Sequence, residues 1–200
     1  AWEGPVNTGF VARNQFIDLT TGTPIPVLIE TWTVRAYAPD LRDDGIWYLD
    51  LRLDQVTAGH GPLELPEYRY GGFAVRGHRD WLGEDNARFL TADGATDRIP
   101  ANATRSRWCA ISGTTGDGIA GLAILDHPSN FRSPQPLRIH PSMPYFCYAP
   151  PQLGPFTIAA DQPYRASYRI VVFDGEPDPE TIERIWTDFA NPPEVEVIAE

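Results

Sequence analysis

The chain has 200 residues, of which 27 are acidic and 16 basic, and its formal net charge is −11. A surface of that sign repels phosphate backbones, which excludes nucleic acid as an expected partner. The longest apolar run, Ile119–Leu125, has 7 residues, whereas a membrane-spanning helix needs roughly 20. We therefore expect a soluble protein with no membrane partner, and the cytoplasm is the favoured compartment.

Strand patterns dominate the first half of the chain. Apolar and polar side chains alternate over Val27–Tyr37 and again over Ile46–Val56, and a turn rich in Pro, Asp and Gly at 38–45 separates them. This pattern predicts a long antiparallel hairpin. Another strand is predicted over Tyr68–Arg76, where the adjacent glycines Gly71 and Gly72 indicate a bulge or a close approach by backbone or ligand.

The second half continues with strands and ends in a helix. Two buried strands are predicted over Trp108–Ser112 and Ile119–Leu125, followed by a third over Tyr164–Phe173. Asp178 and Pro179 then provide an N-cap and a first helical residue, and apolar side chains recur at helical spacing up to residue 189. The sequence therefore predicts an all-β fold, an antiparallel β-sandwich with one short C-terminal α-helix, in a single domain over residues 1–200.

A dense polar cluster follows the strand that ends at residue 125. Asp126 is suited to fix a histidine tautomer, and His127 to act as a general acid or base. Asn130 and Arg132 supply donors for hydroxyl or carboxylate groups. The structural alternative is that Asp126 and Asn130 cap turns, that Arg132 forms an ion pair, and that His127 is merely exposed.

A second cluster runs from Glu67 to His78. In a regular strand, Tyr70, Arg76 and His78 would lie on one face with small residues between them, which would make a platform for a sugar. The alternative is a bulge, with Arg76 in a structural salt bridge.

A metal centre is not expected from the histidines. A metal site could combine His140 with His127 and Asp126. The 13-residue spacing of the two histidines, however, is no recognised ligand pattern. We therefore predict no metal and no cofactor. The two cysteines, Cys109 and Cys147, lack CxxC spacing and lie in apolar stretches, which favours buried free thiols over a single disulfide.

Three segments carry a family resemblance. They are Tyr70–Arg76 (YGGFAVR), Asp126–Pro134 (DHPSNFRSP) and Tyr168–Gly175 (YRIVVFDG), accompanied by Glu30 and Trp108. In this order they resemble an uncharacterised bacterial family labelled methane oxygenase PmoA-like, over most of the chain. The resemblance implies a β-sandwich similar to part of the galactose-mutarotase-like supersandwich, and carbohydrate as the ligand.

One family feature is absent from this sequence. Family members usually carry, upstream of the matched region, a segment of the kind His-Pro-His-His-Arg-Gly, and no such segment occurs here. The resemblance thus implies a domain without an N-terminal segment that its relatives have, and with only part of their site if that segment supplies catalytic or metal-binding histidines.

Three functions follow as expectations. The first is a carbohydrate-active enzyme or enzyme subunit, with His127 or His140 as acid and Asp126 or Glu67 as base. In it, Tyr70 or Trp108 would stack on the sugar while the remaining candidates orient hydroxyl groups; these are Arg76, His78, Asn130 and Arg132. The second is a non-catalytic carbohydrate-binding module. The third is a structural subunit that packs on a partner chain or on a second copy of itself.

Overall fold

The fold is an antiparallel β-sandwich with one C-terminal α-helix, as the alternation predicts. A computed structural model describes residues 1–20, 22–38, 45–59, 61–116, 118–194 and 196. Its strands are β1 (Trp2–Glu3), β2 (Asn7–Asp18), β3 (Ile25–Tyr37), β4 (Trp47–Thr57), β5 (Leu63–Leu65), β6 (Phe73–Arg76), β7 (Arg88–Thr91), β8 (Trp108–Thr115), β9 (Gly118–Asp126), β10 (Leu137–Ile139), β11 (Tyr145–Tyr148), β12 (Phe156–Ile158) and β13 (Tyr164–Asp174). Its helices are the single turn α1 (Arg98–Ala101) and α2 (Pro179–Ala190).

The largest sheet has eight strands in the order β1-β2-β3-β4-β13-β9-β8-β7. Every neighbouring pair in it is antiparallel. The predicted hairpin is confirmed as β3 and β4, which begin and end within two residues of the predicted bounds; residues 39–44 of its turn lie outside the described residues. This pairing sets Glu30 opposite Gln55 and Trp32 opposite Leu53.

Helix α2 covers one face of this sheet. Its predicted N-cap is confirmed, because the Asp178 side chain accepts a hydrogen bond from the backbone N–H of Glu180. Ile182 and Ile185 are buried against a cluster of side chains from β8, β9 and β13 that includes Trp108. An amphipathic helix buries its apolar stripe in this way on the apolar face of a sheet.

Two small sheets cover the opposite face. One has the order β10-β11-β6, and the other pairs β12 with β5. Side chains of the small sheets, such as Phe146 and Tyr148, form one core cluster with Leu53, Ile124 and Tyr168 of the large sheet. The core therefore lies between unequal layers, which leaves space between them.

The strand predicted over Tyr68–Arg76 is shorter in the structure, where β6 covers only its last four residues. Gly71 and Gly72 have φ angles of +122° and +72°, which take the chain out of extended geometry. A Cβ atom on Gly72 would lie 2.2 Å from the Tyr148 carbonyl oxygen. The glycine pair therefore permits a close backbone approach, and Tyr70 precedes the strand instead of belonging to it.

Both cysteines are buried and free, so Cys109 and Cys147 are thiols and not a disulfide. Within the described ranges, no helix has the length and apolar character needed to cross a membrane.

Candidate functional site

A cavity of about 620 Å³ lies between the large sheet and the small sheets. Its volume is in the range of small-molecule sites, which are mostly apolar with a few placed polar groups. We call it the Glu30 cavity. It is lined by Phe16, Val27, Leu28, Glu30, Trp32, Leu53, Gln55, Leu63, Leu65, Pro66, Tyr68, Tyr70, Gly71, Gly72, Phe73, Pro150, Pro151, Phe156, Ile158 and Tyr164.

A polar row crosses the apolar wall of this cavity. Strand pairing aligns Asn14, Glu30, Gln55 and Tyr164 on β2, β3, β4 and β13. The Gln55 amide donates to Glu30 Oε1 at 2.7 Å, and the Asn14 amide donates to Oε2 at 3.5 Å. Glu30 is thereby held in one position by its neighbours on the same sheet.

The Glu30 carboxylate is buried without a counter-charge. The residue is 6% exposed, and no arginine or histidine of the described residues forms an ion pair with it. A carboxylate has about four acceptor positions, of which Gln55 fills one at short range. A buried charge with unfilled acceptor positions is costly, and hydroxyl groups of a ligand would lower that cost.

Aromatic rings provide most of the remaining cavity surface. Trp32 lies on β3 two residues from Glu30, and Tyr68, Tyr70 and Tyr164 also line the cavity. The indole N–H of Trp32 is buried and has no hydrogen-bond partner in the described part of the chain. The cavity therefore combines aromatic faces with one carboxylate, one amide and one unsatisfied donor close by.

Sequence reasoning singled out Glu30 only through the family resemblance and gave it no role at a site. A direct signal exists, because Glu30 lies at an apolar-face position of β3 between Leu28 and Trp32. Gln55 likewise continues the buried face that Leu51 and Leu53 form in β4. Polar residues at buried positions of two paired strands indicate a polar site within the core.

Asp126 organises the loop that follows β9. Its carboxylate accepts hydrogen bonds from the Asn130 amide at 2.7 Å, the Ser133 hydroxyl at 2.7 Å and the Gln135 backbone N–H at 3.0 Å. Asn130 also bonds the backbone of Ser167 in both directions. Burial raises the pKa of Asp126 to about 6, against the opposing effect of these donors.

The structure does not bring Asp126 and His127 together as a catalytic pair. Successive residues at a strand end point to opposite faces, and the His127 ring packs edge-on against Phe189 of α2 at 5.0 Å. Its Nδ1 lies 2.7 Å from the Ser129 hydroxyl, and burial lowers its pKa. Trp108 is on the α2 side as well, 1% exposed, so its ring has no face free to stack on a sugar.

Arg132 holds a neighbouring loop by hydrogen bonds and does not form the ion pair that the sequence offered as an alternative. Its guanidinium donates to the carbonyl oxygens of Pro150 and Gly154, both at 2.7 Å, and of Pro155 at 3.1 Å. Pro150 also lines the Glu30 cavity. Arg132 therefore positions one wall of the cavity from behind.

Two predicted residues are brought together on the outer side of the β10-β11-β6 sheet. The Tyr70 ring lies 6.1 Å from the Tyr145 ring, and the Arg76 guanidinium lies 5.8 Å from that same ring. His140 is nearby, because its backbone N–H donates to the Tyr145 carbonyl oxygen at 3.0 Å; burial and then the charges of surrounding arginines, Arg76 among them, lower its pKa. Arg76 forms no salt bridge within the described residues.

The remaining candidates are exposed. Glu67 lies in a shallow depression with Tyr68, Arg69 and Gln152. His78 caps a short 3₁₀ turn, where its Nδ1 accepts from the backbone N–H of Asp80 at 3.3 Å. Across the described ranges, no group of three or more His, Cys, Asp or Glu side chains is arranged to hold a metal ion.

Comparisons with known proteins give one match. The model of a protein family of unknown function, DUF6807, matches residues 2–187. No curated protein and no solved structure matches the chain.

Proposed function

Because the chain belongs to the DUF6807 family, whose function is unknown, we propose its function from the Glu30 cavity: it is a carbohydrate-binding protein. The observation that carries the proposal is the buried Glu30 carboxylate, held by Gln55 and flanked by aromatic rings. A pyranose has the complementary surface, with C–H faces that stack on aromatic rings and hydroxyl groups that donate to a carboxylate. The sequence analysis expected the same class of ligand from a PmoA-like and mutarotase-like resemblance, but the family model that matches the chain carries neither name.

Binding without catalysis is the better supported form of this proposal. The chemistry expected from the sequence pairs an imidazole with a carboxylate beside the sugar, whereas the titratable side chains that line this cavity are Glu30 and three tyrosines, Tyr68, Tyr70 and Tyr164. None of the described histidines, His78, His127 and His140, lines the Glu30 cavity. The carboxylate partners expected for them, Asp126 and Glu67, do not line it either.

The test is a calorimetric titration of the purified chain with monosaccharides, disaccharides and their 3-keto derivatives. We expect saturable binding to one sugar class. Glu30→Gln should weaken it about tenfold or more, because an amide replaces acceptor positions of a charged group by donors. Trp32→Phe should weaken it less, because the substitution keeps an aromatic face and removes the N–H.

Glu64→Gln is the matched control. Glu64 lies on β5 between two cavity residues, but its own side chain is exposed, so the variant should bind within about twofold of wild type. Absence of saturable binding to any sugar, or equal affinity in Glu30→Gln and wild type, would contradict the proposal. If NMR shows that the protein converts the bound sugar, the enzyme alternative would be favoured instead.

A structural subunit is the second candidate, and strand β2 favours it. Phe10, Val11, Phe16 and Ile17 are 41–58% exposed. β1 pairs only with Thr8 and Gly9 of this strand. Apolar side chains on an open strand edge are typical of a surface that another chain covers.

A further inference from the structure

Guanidinium groups converge on the outer side of the β10-β11-β6 sheet. Alternation along these strands turns one set of side chains into the core and the other set outward. We call the arginine and tyrosine side chains that meet on this side the basic face. Its members are Arg69, Tyr70, Arg76, Arg138 and Tyr145.

Two tyrosine rings organise the basic face. The guanidinium carbons of Arg69 and Arg138 lie 5.4 Å and 5.0 Å from the Tyr70 ring centroid. Arg138 also donates to the Tyr70 hydroxyl at 3.2 Å. Arg76 lies over Tyr145, which the strand register sets directly opposite it. Three cations are thus held around two adjacent aromatic rings.

These cations have no counter-charge in the part of the chain that the structure describes, although the net charge of the chain is −11. No carboxylate of the described residues lies within 4 Å of Arg69, Arg76 or Arg138. Glu67, two residues before Arg69, is exposed and forms no ion pair with it. The Nε of Arg138 is buried without a hydrogen-bond partner. Uncompensated like charges repel each other, and a bound anion would remove that cost.

We propose that the basic face binds an oxyanion, the carboxylate or phosphate group of a small ligand. Arginine presents planar, paired donors that match both groups, and Arg69 and Arg76 each lie over a tyrosine ring without an ion pair among the described residues. The basic face adjoins the Glu30 cavity through Tyr70, which belongs to both, but its guanidinium groups suit an anion, whereas the cavity presents a carboxylate. It does not depend on the proposed carbohydrate site.

The electrostatics of His140 agree with this assignment. After burial, the charges that lower its pKa are those of Arg138, Arg98, Arg76 and Arg69. Arg98 is itself committed to backbone carbonyl oxygens of neighbouring loops. The positive potential of these arginines therefore acts at His140, beside the basic face.

The test uses D-glucuronate and glucose 6-phosphate as probes, with glucose as the neutral control, at low ionic strength. We expect each anion to shift the arginine Nε–Hε NMR signals of the basic face in a saturable way. Arg69→Gln and Arg76→Gln should each weaken binding about tenfold, as loss of a charge-assisted hydrogen bond does. Tighter binding of glucuronate assigns a carboxylate ligand, and tighter binding of glucose 6-phosphate assigns a phosphate ligand.

Arg79→Gln is the matched control, because the Arg79 side chain is 90% exposed and lies outside the basic face. It removes the same charge and should change affinity less than about twofold. No saturable shift with either anion, or an equal loss in Arg79→Gln, would overturn the proposal. Glu30→Gln should retain anion binding, so a failure of the carbohydrate site is distinguished from a failure of this one.

Discussion

Glu30 and Asp126 are both buried carboxylates, but their hydrogen bonds predict different roles. Donors from three residues occupy three of the roughly four acceptor positions of Asp126. Glu30 receives one short hydrogen bond, from Gln55, and lies in the wall of a cavity. A carboxylate whose acceptor positions are mostly filled by its own chain holds structure, whereas one with mostly unfilled acceptor positions beside a cavity is available to a ligand.

Asp126→Ala should therefore destabilise the fold strongly. The substitution leaves the donors of Asn130, Ser133 and Gln135 buried without an acceptor, and we expect a loss of about 3 kcal/mol or more in the free energy of unfolding. Urea denaturation measures it. Asp161→Ala, at an exposed position, should stay within about 0.5 kcal/mol of wild type; similar losses in both variants would contradict the structural role.

Stability should also depend on pH through Asp126. Burial raises its pKa in the folded state to about 6, above the roughly 3.9 of an unfolded chain. The folded state thus binds the Asp126 proton more tightly than the unfolded state does. Protonation of Asp126 therefore stabilises the fold fully below about pH 4. This stabilisation, up to about 3 kcal/mol, is lost as pH rises through about 6.

The comparison that isolates this effect is wild type against Asp126→Asn. Urea denaturation at a series of pH values between 4 and 7 gives the difference in unfolding free energy between the two proteins. As pH rises, the unfolding free energy of wild type should fall relative to that of Asp126→Asn. A difference that stays constant over the whole range would show that Asp126 titrates at its ordinary pKa.

At the scale of elements, one carboxylate fastens helix α2 to the sheet. Glu183 accepts from the Trp108 indole N–H at 2.7 Å and from Arg107 Nε at 2.8 Å. Ile182 and Ile185 are buried beside it. The helix therefore packs on the sheet through its apolar side chains and through the hydrogen bonds of Glu183. It lies on the face opposite the Glu30 cavity.

Glu183→Ala should lower the free energy of unfolding by about 1–3 kcal/mol, because the indole N–H of Trp108 loses its acceptor. Sugar affinity should not change, since α2 is on the far side of the sheet. Denaturation and calorimetry on the same variant check both statements. Asp188→Ala, which removes the same charge at an exposed position of α2, is the control. A fall in sugar affinity in Glu183→Ala would contradict the statement that α2 and the sugar site lie on opposite faces of the sheet.

At the scale of the whole molecule, the sandwich is unequal and one end of the large sheet is left open. The small sheets cover β3, β4, β13, β9 and β8, whereas β2 exposes side chains on both faces. The outer edge of β2 from residue 10 to 18 has no neighbouring strand among the described residues. This open edge is where the structural-subunit alternative becomes testable.

On that alternative, the chain self-associates in a concentration-dependent way through β2. Sedimentation velocity over a wide concentration range should then detect a dimer, and Phe10→Thr with Val11→Thr should shift it towards monomer by removing apolar area. Val172→Thr changes a similarly exposed residue of β13 and should leave the equilibrium unchanged. A monomer at all concentrations would exclude self-association.

Much of the fold was predictable because its signals are local. Side-chain alternation identified β3, β4 and β13 to within a few residues, and the Asp178 cap identified the start of α2. The strand predicted over Tyr68–Arg76 was too long, because Gly71 and Gly72 take left-handed φ angles that the alternation does not encode. Composition also favoured the free thiols that the structure contains.

The sequence by itself determined β3, β4, β8, β9 and β13, the helix α2 and the all-β class, since periodicity and capping depend on residues a few positions apart. Only the tertiary structure decided where the polar residues meet. It joined Glu30 to Gln55 by strand register, buried Trp108 under α2, and turned His127 away from Asp126. Such contacts depend on strand pairing and layer packing between residues far apart in the chain, and no local pattern records that pairing.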